Sequence, residues 1–204
     1  MTTPMTISKV SRRGFLASAA ASLAVLATPA LALTDAQAKS LVDRAVADIN
    51  KVIASGKPLN SMIRDFEKIF SKYADVNIIA RSALGPDARR LTSSQSRAYT
   101  KAFQGYIARK YGKRFNEFVG GQIEVNGVRK VKSFHEVKGT ARLRGQAPFE
   151  VNFLVSDKSG SSKFFDMIIE GISLRLSEKA EIGAMLDKNK GDINALIAEL
   201  KKAG

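Results

Sequence analysis

The hydrophobic positions of this chain keep a helical period through its first half. Leu41, Val42, Ala45, Val46, Ile49, Val52 and Ile53 recur at spacings of three and four. That pattern predicts an amphipathic helix opened by Thr34-Asp35 and stopped by Gly56-Lys57-Pro58. A second stripe follows at Leu59, Met62, Ile63, Phe66, Ile69, Phe70 and Tyr73. Asp75 opens a shorter helix through Val76, Ile79 and Ala80, closed at Leu84-Gly85-Pro86. Ser93 or Ser94 caps the longest one, with Tyr99, Phe103, Tyr106, Ile107, Tyr111, Phe115 and Phe118 on one face and Gly120-Gly121 at its end.

The period then drops to two, as in half-buried strands. Residues 122–126 alternate around Ile123 and Val125. Residues 131–144 read as a more polar pair of strand segments with a turn or bulge at Lys138-Gly139. Phe149, Val151, Phe153 and Val155 form one face of the next strand, and Asp157-Lys158-Ser159-Gly160-Ser161 is a hairpin turn. Residues 163–170 return with Phe165, Met167 and Ile169 on one face; Asp166 and Glu170, on the other, are expected to be solvated or end-capping. Two short helices close the chain, over 178–186 and from Asp192 through Ile193, Leu196, Ile197 and Leu200. Helices, an antiparallel meander and further helices predict a single α+β domain, with helices covering the sheet's apolar face.

The first 32 residues have a different character and read as an export signal. A basic n-region ends in Ser11-Arg12-Arg13-Gly14-Phe15-Leu16, an Ala-rich apolar stretch follows, and Thr28-Pro29-Ala30-Leu31-Ala32 offers an A-x-A cleavage site. The arginine pair resembles the twin-arginine export motif, although an ordinary secretory signal can also carry two arginines. Cleavage after Ala32 would leave a domain over residues 33–204 in the periplasm. The apolar run is followed by no cysteine that could take a lipid anchor, since the chain has none. In an oxidising compartment such a domain rests on packing alone, without a disulfide frame.

Charge narrows the partners. Lys9, Arg12 and Arg13 account for 3 of the formal +14, so the remainder of the chain carries +11. Outside the cytoplasm that excess suits anionic lipid headgroups or acidic protein faces better than nucleic acid, and part of it can be plain solvated surface. Catalytic chemistry is hard to place. The one histidine, His135, lies in a polar strand segment without ligand-spaced partners and is expected at the surface; no metal, catalytic residue or cofactor is predicted. Neither a G-x-S-x-G elbow nor a Gly-rich phosphate loop is present. Asp166 and Glu170 would stand about 13 Å apart along a strand, too far for a glycosidase pair.

The aromatic helix facing an aromatic strand leaves two possibilities, a filled core or a cavity kept open between helix and sheet, and periodicity does not decide between them. Three stretches carry a family resemblance: Tyr73-Ala74-Asp75-Val76 through Leu84-Gly85, then Leu91-Thr92-Ser93-Ser94-Gln95 with Phe103-x-x-Tyr106-x-x-x-x-Tyr111, and 165–174 (FDMIIEGISL). Together they resemble the MlaC (toluene-tolerance) family of phospholipid-shuttling proteins. One departure is the Asp87-Ala88-Arg89 run where the family has an aromatic residue. The resemblance implies a deep apolar pocket for the tails of a phospholipid carried as cargo, not as a cofactor. It implies partners in an outer-membrane lipoprotein complex and an inner-membrane ABC transporter complex, and a role in outer-membrane lipid asymmetry. It makes pocket lining the expected role of Leu84, Phe103, Ile107, Tyr111, Phe115, Val151, Phe153, Phe165, Met167 and Ile169. Two alternatives stay open, a carrier of another apolar lipid such as a hopanoid and a protein-binding adaptor without cargo.

Overall fold

The computed structural model describes residues 32–204, so the export signal read over residues 1–32 lies, but for Ala32, outside the described residues. Helix α1 spans Asp35–Ile53 and opens on a capping box: Gln37 N–H donates to Thr34 Oγ1 (3.2 Å), and Thr34 N–H donates to Gln37 Oε1 (3.0 Å). Its buried stripe is Ala38, Leu41, Val42, Ala45 and Val46. Helix α2, Leu59–Tyr73, follows Pro58, which cannot donate and so suits a helix start. Helix α3, Val76–Leu84, is capped by Asp75 and ends at Gly85, whose φ of +66° a side chain would resist.

Helix α4, Ser93–Gly112, is shorter than its stripe predicts. Its cap is Thr92, which forms a second capping box with Gln95, and after Gly112 the chain tightens into a 3-10 segment, Lys113–Phe118. Positions 115 and 118 therefore lie beyond the end of the α-helix to which period 3.6 assigned them. Gly112 also sits against α2, where a Cβ would come within 2.9 Å of Ile63 Cγ1.

Five strands form one antiparallel sheet in the order β1-β2-β3-β4-β5: β1 Gln122–Val131, β2 Phe134–Arg142, β3 Phe149–Ser156, β4 Lys163–Ile169 and β5 Ile172–Ser173. The first hairpin turns at Lys132-Ser133, with Lys132 at φ +50°, rather than at Lys138-Gly139. Gly139 lies inside β2 instead. The β-bulge of that hairpin is in β1, between Val125 and Gly127. A Cβ at Gly139 would stand 2.9 Å from Val151 O and 3.0 Å from Glu124 O, so a side chain there would push both neighbouring strands away. Helices α5, Leu174–Lys188, and α6, Ile193–Leu200, complete an α+β domain, with α5 starting four residues earlier than its stripe suggested.

Three residues stand elsewhere than the sequence pattern predicts. His135 is buried at 3 % exposure because the β2 alternation turns it inward with Val137 and Ala141, and its Nδ1 lies 3.5 Å from Asp35 Oδ1. The face assigned to Phe165 is wrong. In the β3–β4 register Leu154 pairs with Asp166 and Val155 with Phe164, which leaves Phe165 as the extra residue of a bulge. Phe164 takes the inner position, its ring 5.6 Å from Phe153, while Phe165 stacks edge-on against Phe134 at 5.6 Å beneath the Arg175 guanidinium. Asp166 is 2 % exposed rather than solvated. It does cap an end, accepting from Met167 N–H (2.9 Å), Arg175 N–H (3.0 Å) and Ser173 Oγ–H (2.7 Å) at the corner where β5 becomes α5.

Candidate functional site

A cavity separates the helices from the sheet. Ala45, Ile49 and Ile53 of α1, with Phe66, Ile69 and Phe70 of α2, form one wall. Phe149, Val151 and Phe153 of β3 and Phe164, Met167 and Ile169 of β4 form the other. Ile107 and Tyr111 of α4, Phe118, Ile123 and Leu174 close the sides. Arg114 is the single charged residue among the 18 that line it. The void amounts to about 990 Å³ including the solvent at its opening, yet the centre of a water molecule reaches only about 130 Å³ of it. Its walls therefore stand close together, and the shape is a slot rather than a round chamber. A void lined this way cannot hold water by hydrogen bonding and is suited to an apolar guest.

The walls arise from ordinary local rules. Period 3.6 on α1 and α2 aims Ile49, Ile53, Ile69 and Phe70 at the sheet, and period 2 on β3 aims Phe149, Val151 and Phe153 back at them. On β4 the bulge shifts the phase, so Phe164 and Met167 share the inner face although three residues apart.

Of the ten residues expected to line a pocket, Ile107, Tyr111, Val151, Phe153, Met167 and Ile169 stand in the cavity wall. Leu84 and Phe103 do not. They are 5 % and 0 % exposed and packed in the main core, where α3 lies chiefly against α4 and α5, and α4 chiefly against α2, α3 and α6. Phe165 is outside for the reason given above, and the side chain of Phe115 is not among the described ones. The α1 and α2 contribution was missed. Both stripes are plain in the sequence, but period shows that a face is buried, not whether it meets side chains or a void.

A polar frame braces the α4 side. Glu178 of α5 is fully buried, and its Oε1 accepts from Tyr111 Oη–H (2.7 Å) and Lys110 Nζ (2.8 Å). Lys110 also reaches Glu181 (2.6 Å), which accepts from Tyr106 Oη–H (2.7 Å). Burial would raise the Glu181 carboxyl, but its bonds to Lys110 and Tyr106 outweigh that and hold it below the usual carboxylate range. Burial, with the nearby carboxylates, pushes the hydroxyls of Tyr99, Tyr106 and Tyr111 well above the ordinary tyrosine value. They remain neutral donors, so Tyr111 presents its ring to the cavity and turns its hydroxyl away to Glu178.

Comparison with known proteins agrees with this architecture. The chain resembles in fold a phospholipid-binding protein from Ralstonia solanacearum solved in complex with a phospholipid, with a TM-score of 0.69 and 19 % identity over 81 % of this chain and 95 % of that one. Among the described residues no helix is long and apolar enough to cross a membrane. The family model described as MlaC protein matches residues 39–202, nearly the whole described domain, and on that match the chain belongs to the MlaC family.

Proposed function

We propose that the protein is a periplasmic phospholipid carrier. It takes lipid from one membrane complex and delivers it to another, between an outer-membrane lipoprotein complex and an inner-membrane ABC transporter complex, and so maintains outer-leaflet asymmetry. The observation that carries this reading is the apolar slot between α1–α2 and β3–β4 with one charged residue in its wall. The solved complex of the Ralstonia solanacearum protein supports it, and so does the signal pattern of residues 1–32.

The physics is that of a solvent for acyl chains. Each methylene moved from water into the slot gains about 0.8 kcal/mol, so two tails bind without any directional contact. The narrowness favours flexible chains, which can thread and part the walls, over a rigid polycyclic lipid. Carriage needs no bond to be made or broken. Lipid moves down its free-energy gradient, and docking to each partner tips the relative affinity of slot and complex. In a vesicle-to-vesicle assay the protein should speed transfer of phosphatidylglycerol in proportion to its concentration. Transfer no faster than in buffer would remove the proposal.

A further inference from the structure

The slot has one feature that burying hydrocarbon does not require. Arg114 belongs to its wall, yet its side chain is 62 % exposed, so this arginine marks where apolar interior meets solvent. Phe118, later in the same 3-10 segment, also lines the slot, and Val119 beyond it is 54 % exposed. A phospholipid taken up tails first brings its phosphodiester to that boundary, because the phosphate is covalently fixed a few bonds from where the tails begin. Desolvating that anion without a partner would be costly.

Arg114 is arranged to meet it. Its Nε and Nη2 both donate to one oxygen of Glu117, Oε2, at 3.1 Å each. Among the described residues Nη1 has no hydrogen-bond partner, which leaves it to donate to an anion. Arginine presents paired donors that match two phosphate oxygens, as a lysine does not. Glu117 holds the guanidinium in place and competes with the anion for it.

We propose that Arg114 is the residue that reads the phosphodiester of the cargo, with Glu117 as its internal competitor; this rests on the carrier reading of the slot. The assignment gives the site a specificity. It selects an anionic phosphate ester over a neutral lipid with the same tails, whereas the walls select only for tails.

The test loads delipidated full-chain protein from vesicles containing phosphatidylglycerol or, separately, diacylglycerol, and reads bound lipid per protein by native mass spectrometry. Arg114→Gln should lower phosphatidylglycerol affinity about fivefold, on the scale of a partly exposed charge pair, and leave diacylglycerol loading unchanged. Arg114→Lys should recover part of the loss, and Glu117→Gln should raise phosphatidylglycerol loading above wild type. Arg97→Gln, an equal charge change on the exposed face of α4, should do nothing. Excess inorganic phosphate, at matched ionic strength, should leave wild-type loading unchanged; if it abolishes the dependence on Arg114, the site is one for free phosphate and the assignment fails. Wild-type loading with Arg114→Gln indifferent, or with both lipids lost equally, overturns the assignment alone. Wild type that loads neither lipid overturns the carrier reading and the assignment together.

Discussion

Enlarging Val151 separates a hollow interior from a filled one by the sign of a stability change. Val151 lies on β3 at 6 % exposure with its side chain in the slot wall. Val151→Phe adds about four carbons. If they enter empty space, the upper bound is about 3 kcal/mol at 0.8 kcal/mol per buried carbon, and imperfect fit with lost rotamer freedom reduces it to about 1–2 kcal/mol of stabilisation. In a solid core the same change would overpack the sheet and cost about 1–3 kcal/mol. Loaded protein should show the opposite ranking. Cargo bound at a hundred times its Kd adds about 2.7 kcal/mol to wild type, and the variant, its slot partly occupied, should gain much less. Urea unfolding followed by far-UV circular dichroism suits a chain without tryptophan. The expected result is a crossover: Val151→Phe more stable than wild type after delipidation and less stable when both are loaded. A delipidated variant less stable than wild type would mean that the added ring meets packed side chains and that the space is filled.

Other consequences are as specific. Lys110→Met leaves the buried Glu178 carboxylate without its cation and should lower stability by about 3–5 kcal/mol in thermal unfolding. Asp166→Ala orphans two backbone N–H groups and the Ser173 hydroxyl at the β4–β5–α5 corner and should cost about 2–3 kcal/mol, read in urea. Tyr99, Tyr106 and Tyr111 keep their protons in the folded state beyond the pH at which unfolded tyrosine loses them, so the unfolded chain binds fewer protons above about pH 10. The tyrosine contribution to stability should be level below that pH and fall above it by about 1.4 kcal/mol per pH unit for each tyrosine held, and the 295 nm absorbance should rise only as the protein unfolds. N-terminal sequencing of exported protein should begin at Leu33; a chain beginning at Met1 would remove the signal reading.

How far the sequence carried depended on whether a rule was local. The caps at Thr34, Asp75 and Asp192 and the stops at Gly56 and Gly85 are set by neighbouring residues, and they stand where local chemistry puts them. The bulge at Phe165 is not local. It is imposed by the register against Leu154 and Val155, and it reverses an alternation that looks clean in one dimension. His135 failed in a similar way, since a polar strand says nothing about which of its residues the sheet will turn inward. The slot itself was only half legible. Apolar period picks out the walls, but whether they meet or stand apart depends on how α1 and α2 are held over β3 and β4. The resemblance to carriers, not the periodicity, gave reason to expect an opening.

Carriage requires that the space between those helices and the sheet take lipid tails. Native mass spectrometry of protein purified from the exporting cell without detergent reads that occupancy. The expected spectrum shows a non-covalent adduct that tandem fragmentation identifies as a phospholipid, one per protein, and that is depleted in Val151→Phe. Protein arriving at its bare mass, and still bare after incubation with phospholipid vesicles, would contradict it.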